Sequence, residues 1–161
     1  MKTVGVLGGL GPQATMDFES RVHRVAQRLI PQQVNAGYPP MVVYYFRGVP
    51  FVADEVGAPA VPLRPHPDFL AAAAGLGQIA DFLVITSNFL HVFRADVEAA
   101  AGCEVLSMIE LTLEEVRRRG WKRVGVVVFG DPLVYTTRLG ELGLSTETVR
   151  DERTSTTRSG G

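Results

Sequence analysis

Two short runs carry residue types at spacings that chemistry can use. The first is Gly8-Gly9-Leu10-Gly11-Pro12-Gln13-Ala14-Thr15. Glycines let a backbone turn with positive φ and come close to a ligand. A helix that opens straight afterwards offers free N–H groups and a partial positive charge, which suit a carboxylate or phosphate. Gly9, Leu10, Gly11 and the hydroxyl of Thr15 are therefore candidate ligand contacts. Residues 9–14 also fit the G-x-G-x-x-A dinucleotide pattern, but no acidic residue follows about 20 positions on, and Pro12 removes a donor. A turn packed tightly for structure alone is the plain alternative. The second run is Thr86-Ser87-Asn88-Phe89-Leu90-His91. Small polar residues at the carboxyl end of a buried strand are where α/β proteins hold ligands. Ser87 can hydrogen-bond a substrate and Asn88 can orient it; alternatively, either caps the helix from Leu90. His91 falls inside that helix, where a satisfied structural histidine is expected.

Other candidates are weaker. Arg47 can grip a carboxylate bidentately, although a solvated arginine is the simpler expectation. Asp131 would repel an anion and suits a turn. Cys103 is expected to be a buried structural thiol. His23 and His66 have no partner pattern. No cluster has metal-ligand spacing, so no metal is expected.

The elements that must position these residues alternate. Residues 3–7 (TVGVL) predict a buried strand. A helix follows, with an apolar stripe of Met16, Phe18, Val22, Val25, Ala26 and Leu29 and with Arg21, Arg24 and Arg28 facing away. Pro31 stops it. Residues 41–46 predict a second buried strand, and the proline- and glycine-rich stretch 49–67 a loop. Helix 69–79, strand 81–86, helix 90–101 capped by Gly102, strand 105–109, helix 111–119 capped by Gly120, strand 124–129 and a short helix 134–142 complete the pattern. The fold class is α/β, with a mostly parallel sheet flanked by helices. Residues 3–12 and 123–132 share a strand–glycine–proline pattern, which suggests two related halves unless the likeness is coincidental. The expected divisions are a first half over 1–103, a partial second half over 104–150, and a polar, disordered tail over 151–161 without apolar residues.

Composition excludes several classes. The chain has 161 residues, 46% hydrophobic and 20% charged, with a net charge of -1. Such a balance leaves no electrostatic footprint for nucleic acid and no basic membrane patch. No apolar run approaches the roughly 20 residues that span a bilayer. One cysteine permits no internal disulfide, which fits a cytoplasmic protein. The N-terminus enters a strand pattern without a signal-peptide profile.

Residues 4–15 (VGVLGGLGPQAT) with Phe18, then 81–91 (DFLVITSNFLH), 105–109 (VLSMI) and 121–125 (WKRVG) resemble the aspartate/glutamate racemase family. The resemblance implies pseudo-duplicated halves with the site between them, no cofactor, and a small amino-acid or dicarboxylate substrate. It also implies proton transfer at Cα by two cysteines on opposite faces, and a homodimer. Carried onto this chain, the catalytic position is Ser87, and the binding positions are Gly9, Leu10, Gly11, Thr15, Arg47, Asn88 and Phe89. Three departures stand out. The family's Cys-Asn-Thr-Ala-His reads Ser87-Asn88-Phe89-Leu90-His91. Its Pro-Asp-Arg aligns with Pro50-Phe51-Val52, leaving Arg47 as the substitute. The chain is expected to lack part of the second half, with its cysteine. The expected function is a cofactor-independent amino-acid racemase, impaired by these changes. The alternatives are a degenerate small-carboxylate-binding protein and a nucleotide-binding domain. An edge strand and apolar helix faces left uncovered should drive self-association.

Overall fold

A computed structural model describes residues 1–34, 36–127 and 133–149. They fall into two compact units, Met1–Met108 and a second that begins at Ile109. The first unit contains β1 (Val4–Gly8), α1 (Pro12–Leu29), β2 (Met41–Tyr45), α2 (Pro67–Gly77), β3 (Phe82–Ile85), a 3-10 segment (Phe89–Phe93), α3 (Arg94–Ala101) and β4 (Val105–Leu106). Its sheet is parallel throughout, in the order β2-β1-β3-β4. Val6 pairs with Val43 on one side and Val84 on the other.

Side chains alternate across a strand, so each strand feeds two layers. Val4, Val6 and Val84 gather with Phe18, Met41 and Val43 on the α1 side. Leu7, Leu83 and Ile85 join Phe69, Ala73, Leu76, Phe93 and Val97 from α2, the 3-10 segment and α3 on the other. The second layer is the larger core. Each large side chain that it removes from water adds about 1.5–3 kcal/mol. The loop between β2 and α2 is tied down by antiparallel bridges, Phe51 to Pro65 and Ala53 to Pro59.

The second unit contains α4 (Met108–Arg119, whose first residue belongs to the first unit), β5 (Arg123–Val127), α5 (Leu133–Glu141) and β6 (Ser145–Val149). β5 and β6 pair in parallel, with Arg123 opposite Ser145. Arg138 of α5 bonds Glu110 of α4 through Nη2 at 2.9 Å and Nε at 3.2 Å.

The α/β class with a helix-flanked parallel sheet is as the sequence indicates, but several details differ. β2 is an edge strand rather than a buried one; Tyr44 is exposed and its neighbours are half-buried. On α1 the apolar stripe is covered only in part: Ala26 is buried and Phe18 and Val22 are half-buried, but Met16 is 52% exposed, Val25 41% and Leu29 76%, and the polar Thr15 is buried instead. Helical spacing tells which residues share a face, and only neighbouring elements decide whether that face is covered. The expected helix 90–101 opens as a 3-10 segment and becomes α-helical only at Arg94. The expected strand 105–109 ends at Leu106, because α4 begins at Met108. β6 has no counterpart among the expected elements. Gly102 and Gly120 cap their helices at φ 69 and 67. Asp131, the second glycine turn of the apparent repeat, the strand end at 128–129 and the tail over 151–161 lie outside the described residues.

Candidate functional site

β1 connects to β2 on one side, and the chain then returns to β3 on the other. Strand order therefore reverses between β1 and β3, the position where open parallel sheets form a crevice at their carboxyl ends. Gly8 and Gly9 end β1, Thr86 and Ser87 follow β3, and Phe46 and Arg47 follow β2. Backbone bonds stitch the three ends together: the Phe46 N–H donates to the Gly8 carbonyl at 2.9 Å, and the Thr86 N–H to the Leu7 carbonyl at 3.3 Å.

A buried hydroxyl pair fixes the glycine turn. Thr15, in the first turn of α1, is 0% exposed. Its Oγ1 accepts the Gly9 N–H at 2.9 Å and shares a 2.8 Å hydrogen bond with Thr86 Oγ1. Gly8 is required beneath this pair, since a Cβ there would lie 2.6 Å from Thr15 Oγ1 and 2.9 Å from Thr86 Oγ1. Gly9 has φ +84, and its Cβ would meet the Phe46 backbone nitrogen at 2.8 Å. Gly11 caps α1 in the left-handed region and Pro12 opens the helix. The Thr15 hydroxyl is thus spent on Gly9 and Thr86, and its part in the site is to hold the turn. The Gly9 N–H is spent with it. The N–H groups of Leu10, Gly11 and Gln13 make no hydrogen bond among the described residues, so the turn's unspent donors begin one residue later than glycine spacing suggests. The Leu10 side chain packs on the core.

Across the crevice, Ser87 is half-buried, Asn88 is exposed, and half-buried Phe89 packs against the core. Asn88 occupies the cap position of the 3-10 segment without a side-chain capping bond. His91 is buried and structural, as expected. Its Nδ1 lies 2.8 Å from the Ser87 carbonyl, and its Nε2 accepts the Met108 N–H at 3.3 Å. Burial pushes its pKa below the usual histidine range. With both ring nitrogens engaged, His91 is not a base for the Ser87 hydroxyl.

Arg47 is exposed at the rim. Its Nη1 lies 3.5 Å from the Gly9 carbonyl, its guanidinium sits 5.2 Å over the Tyr45 ring, and it joins no ion pair among the described residues. Tyr45 donates to Glu19 Oε1 at 2.9 Å. Desolvation and Glu19 raise its phenol pKa. Sequence reasoning included Thr86 in its run without giving it a role, and it missed the Tyr45–Glu19 pair. Thr86 carried a usable signal, as the last residue of an apolar strand beside the glycine turn; Tyr45 and Glu19 carried none, being far apart in the chain.

The remaining candidates lie elsewhere. Cys103 precedes β4, at the amino ends of the parallel strands, whereas Ser87 follows β3 at the carboxyl ends. Burial, then Asp81 and Glu98, raise the Cys103 thiol pKa. His66 caps α2 by accepting the Asp68 N–H at 3.1 Å, and His23 packs edge-on against Tyr38. Among the described residues no group of His, Cys, Asp or Glu is gathered as for a metal ion. No helix among them is long and apolar enough to cross a membrane.

Residues 7–157 match the family model for the Asp/Glu/hydantoin racemases. The chain belongs to this family. A broad specificity amino-acid racemase, RacX of Bacillus subtilis (strain 168), is 27% identical over 122 residues, covering 75% of this chain and 52% of RacX. The chain therefore spans about half the length of that curated relative. Among solved structures, an aspartate racemase homologue from Pyrococcus horikoshii OT3 aligns with a TM-score of 0.70 at 21% identity, over 95% of this chain and 66% of its own. A putative Asp/Glu racemase from Yersinia pestis gives 0.66 at 19%, over 94% and 66%. An aspartate racemase from Picrophilus torridus gives 0.63 at 20%, over 92% and 62%. At these identities the structural likeness speaks for the fold.

Proposed function

We propose that this chain acts as a cofactor-independent amino-acid racemase that moves the Cα proton of a small amino acid or dicarboxylate held between β1 and β3. One observation carries the reading. The glycine turn and Ser87 end adjacent parallel strands, and the buried Thr15–Thr86 bond locks the two ends together. The N–H groups of Leu10, Gly11 and Gln13, at a helix N-terminus, suit a carboxylate. Arg47 supplies a positive charge at the rim for a second carboxylate, Asn88 orients the substrate, and Phe89 backs it. Ser87 stands where the resembled motif has a thiol that exchanges the Cα proton.

A specific observation also favours a second reading, carboxylate binding without turnover. A serine hydroxyl is a far weaker acid than a thiol, and the histidine nearest in sequence is locked onto backbone groups. Incubation with L-aspartate or L-glutamate in heavy water separates the readings. Racemase function predicts loss of the Cα proton signal and appearance of the D-isomer, with Ser87→Cys exchanging faster than wild type. Calorimetric binding without exchange in either form selects the binding reading; absence of both binding and exchange refutes the two together. The proposal extends to a homodimer in the cytoplasm. Exposed Met16, Val25 and Leu29 on α1 and the open β2 edge offer surface to a second copy, and a free, half-buried Cys103 suits a reducing compartment.

A further inference from the structure

We infer that His91 is a positioning residue for Ser87: its neutral imidazole clamps the Ser87 carbonyl, after β3, to the Met108 N–H, after β4. The β3–β4 ladder has the register pairs Leu83 with Val105 and Val84 with Leu106, and it stops there. Beyond it one chain end continues into the 3-10 segment and the other into α4. The His91 ring bridges the gap that the ladder leaves. Met108 donates to Nε2, so Nε2 carries a lone pair. A neutral ring then carries its proton on Nδ1, which donates to the Ser87 carbonyl at 2.8 Å. Burial together with the positive charge of Arg94 on α3 opposes the doubly protonated ring, which could no longer accept the Met108 N–H at Nε2.

The consequence for the site is geometric. The carbonyl held by Nδ1–H belongs to the peptide plane joining Ser87 to Asn88. Holding that plane sets the directions in which both side chains leave the backbone. The β1 side of the crevice is fixed by Thr15 and Thr86, and His91 does the same for the β3 side from the opposite flank. Neither ring nitrogen is left to act on substrate. The inference rests on the proposed reading only in taking Ser87 and Asn88 as ligand-facing.

Nuclear magnetic resonance on the full chain tests it first without any variant. Long-range proton–nitrogen spectra should show the Nδ1–H tautomer for His91, with a coupling across the hydrogen bond between Met108 N and His91 Nε2. An Nε2–H tautomer overturns the clamp. Variants then divide its two bonds, since His91→Asn keeps a donor near the Nδ1 position and His91→Gln an acceptor near Nε2. His91→Asn should preserve the Ser87 and Asn88 amide shifts and speed amide exchange at Met108. His91→Gln should do the reverse and weaken L-aspartate binding by about tenfold, the loss expected for one such hydrogen bond. Loss of affinity that merely follows Tm equally in both variants would mean a general structural role and overturn positioning. If the wild-type chain binds no L-aspartate or L-glutamate, the proposed function fails, and the tautomer and amide shifts decide the clamp by themselves.

Discussion

At the scale of residues, Thr15 concentrates the physics of the site. Its hydroxyl is fully buried, accepts from Gly9 and pairs with Thr86. Thr15→Val keeps the shape and removes the acceptor, leaving the Gly9 N–H and the Thr86 hydroxyl unsatisfied in a dry setting. We expect a loss of about 1–3 kcal/mol, the usual penalty for an orphaned buried polar group, read as a lower urea midpoint. Thr15→Ser should recover most of it, and a Val variant as stable as wild type would contradict the staple. The sequence marked Thr15 as a candidate from its place one helical turn beyond the glycines. It did not show that the hydroxyl faces inward, because that depends on Thr86, 71 residues later. Ser87 is the complementary case: its motif was legible, while the isolation of its hydroxyl from His91 became visible only once both ring nitrogens had named partners.

At the scale of elements, the 3-10 segment carries a pH prediction. His91 has a folded-state pKa below its ordinary value of 6.5, through burial first and Arg94 further on. Above that value the ring is neutral in both folded and unfolded chains and adds no pH dependence. As pH falls through about 6.5 the unfolded chain gains a proton that the folded chain resists, so stability falls until the folded pKa is passed. Thermal melts between pH 7.5 and 5 should therefore show Tm dropping more steeply for wild type than for His91→Gln; equal slopes would refute the assignment. The helix boundaries explain why this device was hidden. Residues 90–101 satisfy helical spacing, and spacing does not distinguish a 3-10 opening from an α-helix. The early start of α4 at Met108 brings the N–H that His91 accepts.

At the scale of the whole molecule, surface left open is the dominant fact. Met16, Val25 and Leu29 on α1, Tyr44 on the β2 edge and Val127 on β5 are exposed. An open edge strand and apolar side chains in water both favour association. We expect sedimentation velocity to show concentration-dependent self-association, reduced by Met16→Glu together with Leu29→Glu. A monomer over the whole accessible concentration range would contradict this. The sequence by itself determined the alternation of strands and helices, the glycine turn and the position of Ser87, because these rest on local residue preferences and short periodicities. Only the tertiary structure decided that β2 lies at an edge, that Met16, Val25 and Leu29 of the α1 stripe stay open, that Thr15 faces Thr86 and that His91 joins Ser87 to Met108. Each of these depends on partners distant along the chain, and local preference carries no information about which distant residue arrives.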